Sequence, residues 1–198
     1  MRLETMTGAA IAPHIPEVAE LRIRLFRAFP YLYEGSLDYE RRYLEGYTRE
    51  PRATLIRVLD GDRLVGVATA VPLASASDIV AEAPRLFAQA GYDPATFYYY
   101  AEILVDPAYR GRGVAKLVYA ERERLARQWG YRNLCLAVVK RPADHPLKPK
   151  DYVSPERIWQ RDGFVRTGIE FAYHWPTIQP DGMVVDQDNP MIFWVKAL

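Results

Sequence analysis

The sequence predicts a mixed α/β domain in which a central, partly parallel sheet is flanked by helices. Segments with helical and strand-like periodicity alternate along the chain. Between positions 97 and 139 a strand, a glycine-rich turn, a helix and a second strand follow one another. The 198 residues are 49% hydrophobic, which suffices for a sizeable core, and they contain no internal repeat and no linker-like stretch. Residues 1–198 are therefore expected to form a single domain.

The first two elements are expected to be helices. Apolar residues recur at helical spacing over Ile15–Phe29, and Pro16 suits the first turn of a helix. A tyrosine-rich turn, Pro30–Gly35, follows. Ser36 is suited to cap a second helix that extends to about Tyr47.

A strand pair and an insertion come next. Thr54–Leu59 and Leu64–Val71 read as strands, and Gly61 suits a tight hairpin turn between them because glycine tolerates positive φ. The segment Pro72–Ala95 is expected to be an inserted loop with a short helix around Ala83–Ala90.

The middle of the chain predicts a strand–helix–strand unit. The strand Phe97–Val105 leads through a glycine-rich turn to the helix Val114–Trp129, which stops at Gly130 before the strand Leu134–Val139. Such a unit should be parallel and right-handed. The remaining elements are a short helix, Pro155–Asp162, and two final strands separated by a polar, proline-containing loop. These strands lie near 164–175 and 191–196.

Composition excludes several classes of function. The 26 Lys and Arg residues against 25 Asp and Glu leave a net charge of +1, so no general attraction to nucleic acid or to a membrane surface is expected. The single cysteine, Cys135, forms no internal disulfide, and no Cys/His cluster has the spacing of a metal site. No signal peptide or membrane span is apparent, which favours a cytoplasmic location.

The most informative segment is the turn at which the middle helix begins: Arg110, Gly111, Arg112, Gly113, Val114 and Ala115. The first amides of a helix have no intrahelical partner, and the helix dipole adds partial positive charge there. Glycines let an oxyanion approach the backbone closely, and the two arginines add donors that suit phosphate. The pattern predicts a pyrophosphate site.

Other phosphate-binding motifs fit this turn less well. A Walker loop needs Lys and Ser/Thr after its last glycine, where this chain has Val114 and Ala115. A dinucleotide fingerprint needs a third glycine at position 116, which is lysine. A turn that merely caps a helix is the remaining alternative.

The segment Glu102–Val139 resembles the cofactor-binding core of the GNAT superfamily of acetyl-CoA-dependent N-acetyltransferases. The family's signature is Arg or Gln, two residues, Gly, one residue, then Gly or Ala, and it is met by Arg110, Gly113 and Ala115. Trp159–Phe164 resembles the family's closing helix followed by Gly-Phe. The resemblance implies a GNAT-type sheet, splayed open to admit the pantetheine arm of acetyl-CoA.

The resemblance also implies roles for the strand before the turn. Backbone groups of Ile103, Leu104 and Val105 are expected to hold the pantetheine arm. Glu102 is the first candidate for the general base, with a pair to a nearby arginine as the structural alternative. Strand alternation predicts two faces of this strand: Tyr98, Tyr100, Glu102 and Leu104 on one, and Tyr99, Ala101, Ile103 and Val105 on the other.

The general acid departs from the family pattern. Counting back from Gly163, the position at which many members carry a tyrosine acid is Trp159, and an indole cannot protonate a thiolate. Tyr152 is the candidate phenol in its place, and an unprotonated leaving thiolate is the alternative.

The leading function is transfer of an acetyl group from acetyl-CoA to a primary amine of a small molecule, without a metal and without an acyl-enzyme. A protein or peptide N-acetyltransferase and a non-catalytic acyl-CoA-binding module are the alternatives. The insertion Pro72–Ala95, if folded over the cleft, would favour a small acceptor. The resemblance leaves a homodimer open, because family members are often dimers.

Overall fold

A computed structural model describes the chain over residues 1–198, except for the side chains at positions 77 and 78. The helices and strands are, in chain order, β1 (Arg2–Thr7), α1 (Ile15–Phe26), α2 (Leu37–Arg49), β2 (Thr54–Asp60), β3 (Arg63–Pro72), α3 (Ala83–Gln89), β4 (Phe97–Val105), α4 (Val114–Gln128), β5 (Asn133–Val139), α5 (Glu156–Arg161), β6 (Val165–Ile178) and β7 (Val184–Ala197). Among the described residues, no helix combines the length and the apolar character that a membrane crossing requires.

One seven-stranded mixed sheet has the strand order β1-β2-β3-β4-β5-β7-β6. Strands β4 and β5 pair in parallel, and the other described neighbours are antiparallel. The parallel pair follows from the connection through α4, because two parallel strands need a crossover between them. The predicted mixed α/β fold with a partly parallel sheet flanked by helices is confirmed.

Helices cover both faces of the sheet. The larger core, which includes Val18 of α1, Leu44 of α2 and Phe87 of α3, fills one face. On the opposite face, Val114 and Val118 of α4 pack on β2 and β3, and Trp159 of α5 packs beside β5 and β7. Cys135 lies in the first of these cores and is fully buried.

A β-bulge in β4 changes which side chains share a face. Thr69 of β3 pairs with Glu102 and the next residue, Ala70, pairs with Tyr100, so Ala101 has no partner in β3. The extra residue reverses the alternation. Tyr98 and Tyr100 face α4, whereas Glu102 faces α1 and α2. The prediction that Glu102 shares a face with these two tyrosines is therefore wrong.

A buried arginine of α4 holds this bulge. The Arg122 side chain is 1% exposed, and its Nη1 donates to the main-chain oxygens of Glu102 (3.1 Å) and Thr69 (3.3 Å). Its guanidinium lies over the Tyr100 ring, 4.0 Å from the centroid. The two hydrogen bonds satisfy main-chain oxygens at the bulge, where the regular pairing of β3 with β4 is interrupted. The ring contact adds a cation–π interaction.

The two ends of the chain differ most from the prediction. The edge strand β1 was not foreseen. Strands β6 and β7 form one long hairpin and extend through Pro176 and Pro190, which were expected in a loop. Proline is tolerated in β6 because that strand is an edge. Pro190 lies one residue beyond the last β5 partner, Met191, so its missing N–H interrupts no pairing with β5.

Candidate active site

The parallel strands β4 and β5 separate after four residue pairs. Their register ends at Tyr100 and Leu136. Beyond that point the described pairing of β4 is with β3, and that of β5 is with β7. The edge of β4 that carries Ile103, Leu104 and Val105 thus faces a gap rather than a neighbouring strand. Main-chain groups on such an open edge are available to an extended ligand.

The glycine-rich turn lies at the wide end of this gap. Gly111 and Gly113 have φ values of +74° and +82°, a region that other L-residues rarely adopt. Gly113 is the N-terminal cap of α4, and positions 110–113 are exposed. Within the part of the chain that the structure describes, the amides of residues 111–115 donate to no protein group. They are free to bind an anion.

Two arginines flank these amides. Arg110 donates from Nε to the Val105 oxygen at 3.3 Å, and the Arg112 guanidinium lies over the Tyr109 ring, 5.0 Å from the centroid. Both side chains belong to exposed residues. Their positive charge therefore stands beside the open amides, as expected for a phosphate site.

Asp106 anchors the chain just before the turn. Its Oδ1 accepts a hydrogen bond from the Ala108 amide at 3.1 Å, and its Oδ2 pairs with Arg24 (3.3 Å) and Arg63 (3.2 Å). The Ala108 amide, and then the two guanidinium groups, hold the pKa of this carboxyl group below its usual value.

An aromatic cavity of about 90 Å³ lies on the α1 and α2 side of the sheet. Two alanines line it at the point where the strands separate, Ala101 at the β4 bulge and Ala137 just beyond the last paired residue of β5. The gap and the cavity therefore meet. The aromatic residues in its wall are Phe26, Tyr31, Tyr33, Tyr39, Tyr43, Tyr99, Phe171, Tyr173 and Trp175.

A buried charge cluster forms one wall of this cavity. Arg22 of α1 donates from Nε to Glu40 of α2 and from Nη1 to Glu102 of β4. All three side chains are at most 7% exposed. Tyr43 donates its hydroxyl to the other Glu102 oxygen at 3.3 Å. Removing one partner of such a buried set costs on the order of 3–5 kcal/mol, because it leaves a charge uncompensated.

Three phenols from different elements bear on this site: Tyr31 lines the cavity, Tyr119 belongs to α4 and Tyr152 follows β5. Burial, and then the charge of Glu102, raise the pKa of Tyr31, and both Tyr152 and Tyr119 raise it further. Tyr152 belongs to the loop after β5 and packs edge-on against Phe29, 4.8 Å between centroids. Tyr119 belongs to α4 and accepts a hydrogen bond from the Trp159 indole nitrogen at 2.7 Å.

Comparison with known proteins decides the family. Residues 17–146 match the model of the acetyltransferase (GNAT) family. The chain belongs to the GNAT acetyltransferase family. Membership indicates acetyl-CoA-dependent acyl transfer. No curated protein sequence matches this chain at a significant level.

Solved structures of GNAT proteins share the fold along the whole chain. A ribosomal-protein-alanine N-acetyltransferase from Brucella melitensis is 14% identical, with a TM-score of 0.61 and full coverage of both chains. An aminoglycoside 6′-N-acetyltransferase complexed with coenzyme A is 16% identical, with a TM-score of 0.60 over 100% of this chain and 97% of that one. The PaiA N-acetyltransferase from Thermoplasma acidophilum, in complex with coenzyme A, is 11% identical with a TM-score of 0.55, and both chains are fully covered.

The structure brings together most of the residues that the sequence predicted for this GNAT site. Ile103–Val105 and Arg110–Ala115 follow one another along the gap, and Glu102 lies at its inner end. Tyr152 packs edge-on against Phe29. Trp159 is 8% exposed and packs against Trp194, 5.8 Å between centroids, in the wall behind Tyr119.

Three residues of the candidate site were missed from the sequence. Arg22 follows Val18 and Leu21 on the buried stripe of α1, so a charged residue within an apolar stripe was the available signal. Tyr119 adjoins the buried Val118 on α4 and precedes Arg122 by one helical turn. Glu40 gave no signal of its own, because the first turn of a helix commonly carries an acidic residue.

Proposed function

We propose that this GNAT protein transfers an acetyl group from acetyl-CoA to the primary amine of a small molecule, by direct attack within a ternary complex. The observation that carries the proposal is the junction of the β4–β5 gap with the aromatic cavity at Ala101 and Ala137. A donor lying along the gap and an acceptor lying in the cavity would meet at these two small residues. Bringing the reactants into contact supplies much of the rate enhancement of such a transfer.

The donor would bind from the exposed turn inwards. The amides and arginines of Arg110–Ala115 would hold the pyrophosphate, and the open edge of Ile103–Val105 would hold the pantetheine arm. A main-chain amide on this edge would face the thioester oxygen and stabilise the developing oxyanion. The support for this placement is that the turn lies directly beyond the C-terminal end of β4.

The amine must lose a proton before it can attack, because ammonium groups titrate near pH 10. Glu102 is the proposed base, directly or through a water molecule, since its carboxylate lines the cavity next to Ala101. The nitrogen lone pair then forms a bond to the thioester carbon. As the tetrahedral intermediate collapses, the C–S bond breaks, the sulfur leaves as a thiolate and the nitrogen releases its second proton to solvent water.

The leaving thiolate needs a proton, and two phenols are candidates for supplying it. Tyr152, the candidate from the sequence, packs against Phe29, and burial and then Glu156 raise its pKa. Tyr119 is favoured by its position. Its ring lies 6.2 Å from that of Tyr100, the last β4 residue that pairs with β5. A phenol carries its proton at neutral pH, and burial raises the pKa of Tyr119 further.

A small acceptor is supported by the inserted segment. Ile79 and Val80 from this segment line the aromatic cavity, and the Tyr173 hydroxyl donates to the Ile79 oxygen at 3.2 Å. The inserted segment thus narrows the cavity in which the acceptor would bind. A protein substrate would instead need an open groove into which an extended segment fits.

The test is a thiol-release assay with acetyl-CoA and a panel of amines, with products identified by mass spectrometry. Amine-dependent release of CoA, together with a product heavier by one acetyl group, is the expected result. Slow hydrolysis that no amine accelerates would instead indicate an acyl-CoA-binding module. Acetylation of peptides but of no small amine would indicate a protein acceptor.

A further inference from the structure

We infer that the acceptor is a monocationic primary amine carried on an apolar stem, and that the aromatic cavity selects against polycations and against amino acids. This inference rests on the proposed function and specifies its substrate class. Three properties of the cavity carry it: its excess of negative charge, its aromatic wall and the way in which its one cation is occupied.

The charge excess comes from two carboxylates facing one guanidinium. Among the described residues that line the cavity, only Arg22, Glu40 and Glu102 carry a formal charge. Two negative charges and one positive charge give the cavity wall one net negative charge. Water screens these charges poorly because the three side chains are buried, so a single cation is the ligand that restores neutrality.

Glu40 is the more buried of the two carboxylates, since its side chain is 0% exposed against 6% for Glu102. Its Oε2 accepts from Arg22. Burial, and then the charge of Glu40 and a hydrogen bond to it, raise the pKa of the Tyr33 hydroxyl. Among the described residues of the cavity wall, no second cation matches the charge of Glu40, so a ligand cation in the cavity would be attracted to it.

Arg22 is not available to attract an anionic substrate. Two of its nitrogens already donate to the carboxylates. Its guanidinium carbon lies over Tyr43 at 4.3 Å and over Phe26 at 5.0 Å from the ring centroids. Because these rings cover the cation, a substrate carboxylate would meet mainly Glu40 and Glu102. An amino acid whose carboxylate adjoins its amine is therefore disfavoured.

The rest of the wall favours an apolar stem with one charged end. Tyr31, Tyr39, Tyr173 and Trp175 present ring surface to the cavity, which attracts an ammonium group through its π electrons and accepts methylene groups equally well. The cavity volume of about 90 Å³ admits the amine and a short stem. A second ammonium group close to the first would have no carboxylate left to neutralise it, so polyamines and aminoglycosides are poor fits.

The first experiment needs no variant. Calorimetry on the CoA-bound protein compares n-butylammonium with 1-butanol, which has the same length and no charge. We expect the cation to bind at least about tenfold more tightly, the preference that a carboxylate and an aromatic wall provide together. Equal binding of the two compounds would overturn the inference.

The second experiment measures kcat/KM for n-butylamine, spermidine and alanine with the wild type, with Glu40→Gln and with Glu45→Gln. Glu45 lies on the same helix but is exposed, so it is the matched control. We expect n-butylamine to be favoured by at least about tenfold, and Glu40→Gln to lose most of that preference through KM while its affinity for CoA is unchanged.

The failures of the two proposals are distinguishable. If no amine accelerates CoA release, the transferase proposal fails. If amines are acetylated but spermidine or alanine is the better substrate, or if Glu40→Gln behaves as Glu45→Gln does, the transferase proposal stands and this inference fails.

Discussion

The indole nitrogen of Trp159 donates a hydrogen bond of 2.7 Å to the hydroxyl of Tyr119, which joins α5 to α4 across the inner end of the β4–β5 gap. The indole group has no acidic proton at useful pKa, but it occupies an acceptor site of the phenol and leaves the O–H free to point elsewhere. Trp159 therefore orients a phenol that belongs to the neighbouring helix.

Exchange of Tyr119 for phenylalanine tests this arrangement. We expect Tyr119→Phe to lower kcat by about 10²-fold, as the loss of a general acid does, while the Kd for CoA stays within a factor of about two. Tyr152→Phe is the matched comparison, because it removes the other phenol of the gap. A larger loss in Tyr152→Phe than in Tyr119→Phe would assign the acid to the loop after β5.

Gly113 offers a test of the pyrophosphate site. Gly113→Asp should weaken CoA binding by at least about 10²-fold in calorimetry, because a carboxylate would enter the anion site and the φ of +82° would be strained. Gly91→Asp is the control, since Gly91 has a φ of +83° and equally open space where a Cβ would lie, but follows α3. If both variants bind CoA as the wild type does, the anion site lies elsewhere.

Exchange of Glu102 for glutamine distinguishes a catalytic role of this residue from a structural one. We expect Glu102→Gln to reduce kcat/KM by about 10²-fold and to shift its pH dependence, with CoA affinity nearly intact. The pH profile is the deciding measurement. If the carboxylate only anchors Arg22, the Glu102→Gln variant has a lower melting temperature but a pH profile of unchanged shape. Coinciding profiles for variant and wild type would remove Glu102 from proton transfer.

The lowered pKa of Asp106 predicts that the stability of the folded protein depends on pH. Its pKa is lowered in the folded protein relative to the ordinary value of 3.8, so its stabilisation is fully present above that pH and is lost as the pH falls through the lower folded value. Asp106→Asn should therefore lower Tm by a few degrees at pH 7, and the difference from the wild type should vanish in strongly acidic solution. Exposed Asp62, exchanged for Asn, is the control. An equal Tm at pH 7 for the two variants would contradict the prediction.

Local signals made the centre of the fold predictable from the sequence. The segment from Phe97 to Val139 combines strand periodicity, positive-φ glycines and a long amphipathic helix, all of which act between near neighbours in sequence. The strand β1 escaped prediction because it is a half-exposed edge strand, so its side chains need no clear alternation of apolar and polar residues.

Of the candidate site, only the part proposed to hold the cofactor could be predicted from the sequence. The turn at Arg110–Ala115 is one continuous motif, whereas the acceptor cavity is assembled from α1, α2, the insertion and β6. The bulge at Ala101 depends on pairing with β3 and on Arg122, neither of which strand alternation takes into account. For that reason the sequence placed Glu102 beside Tyr100 instead of beside Arg22 and Tyr43.

In the proposed placement of the donor, Arg122 would tie both ends of its binding site to one helix. The helix that begins at Gly113 also fastens the strand bulge nine residues later, about 14 Å along its axis. A cofactor held at both points would have its reach fixed by the length of a rigid helix. A longer acyl chain would then have to extend beyond Ala101 into the space that the proposed amine also needs. Acyl-length selectivity and amine selectivity would thus be properties of the same volume, and enlarging it for one substrate would change the choice of the other.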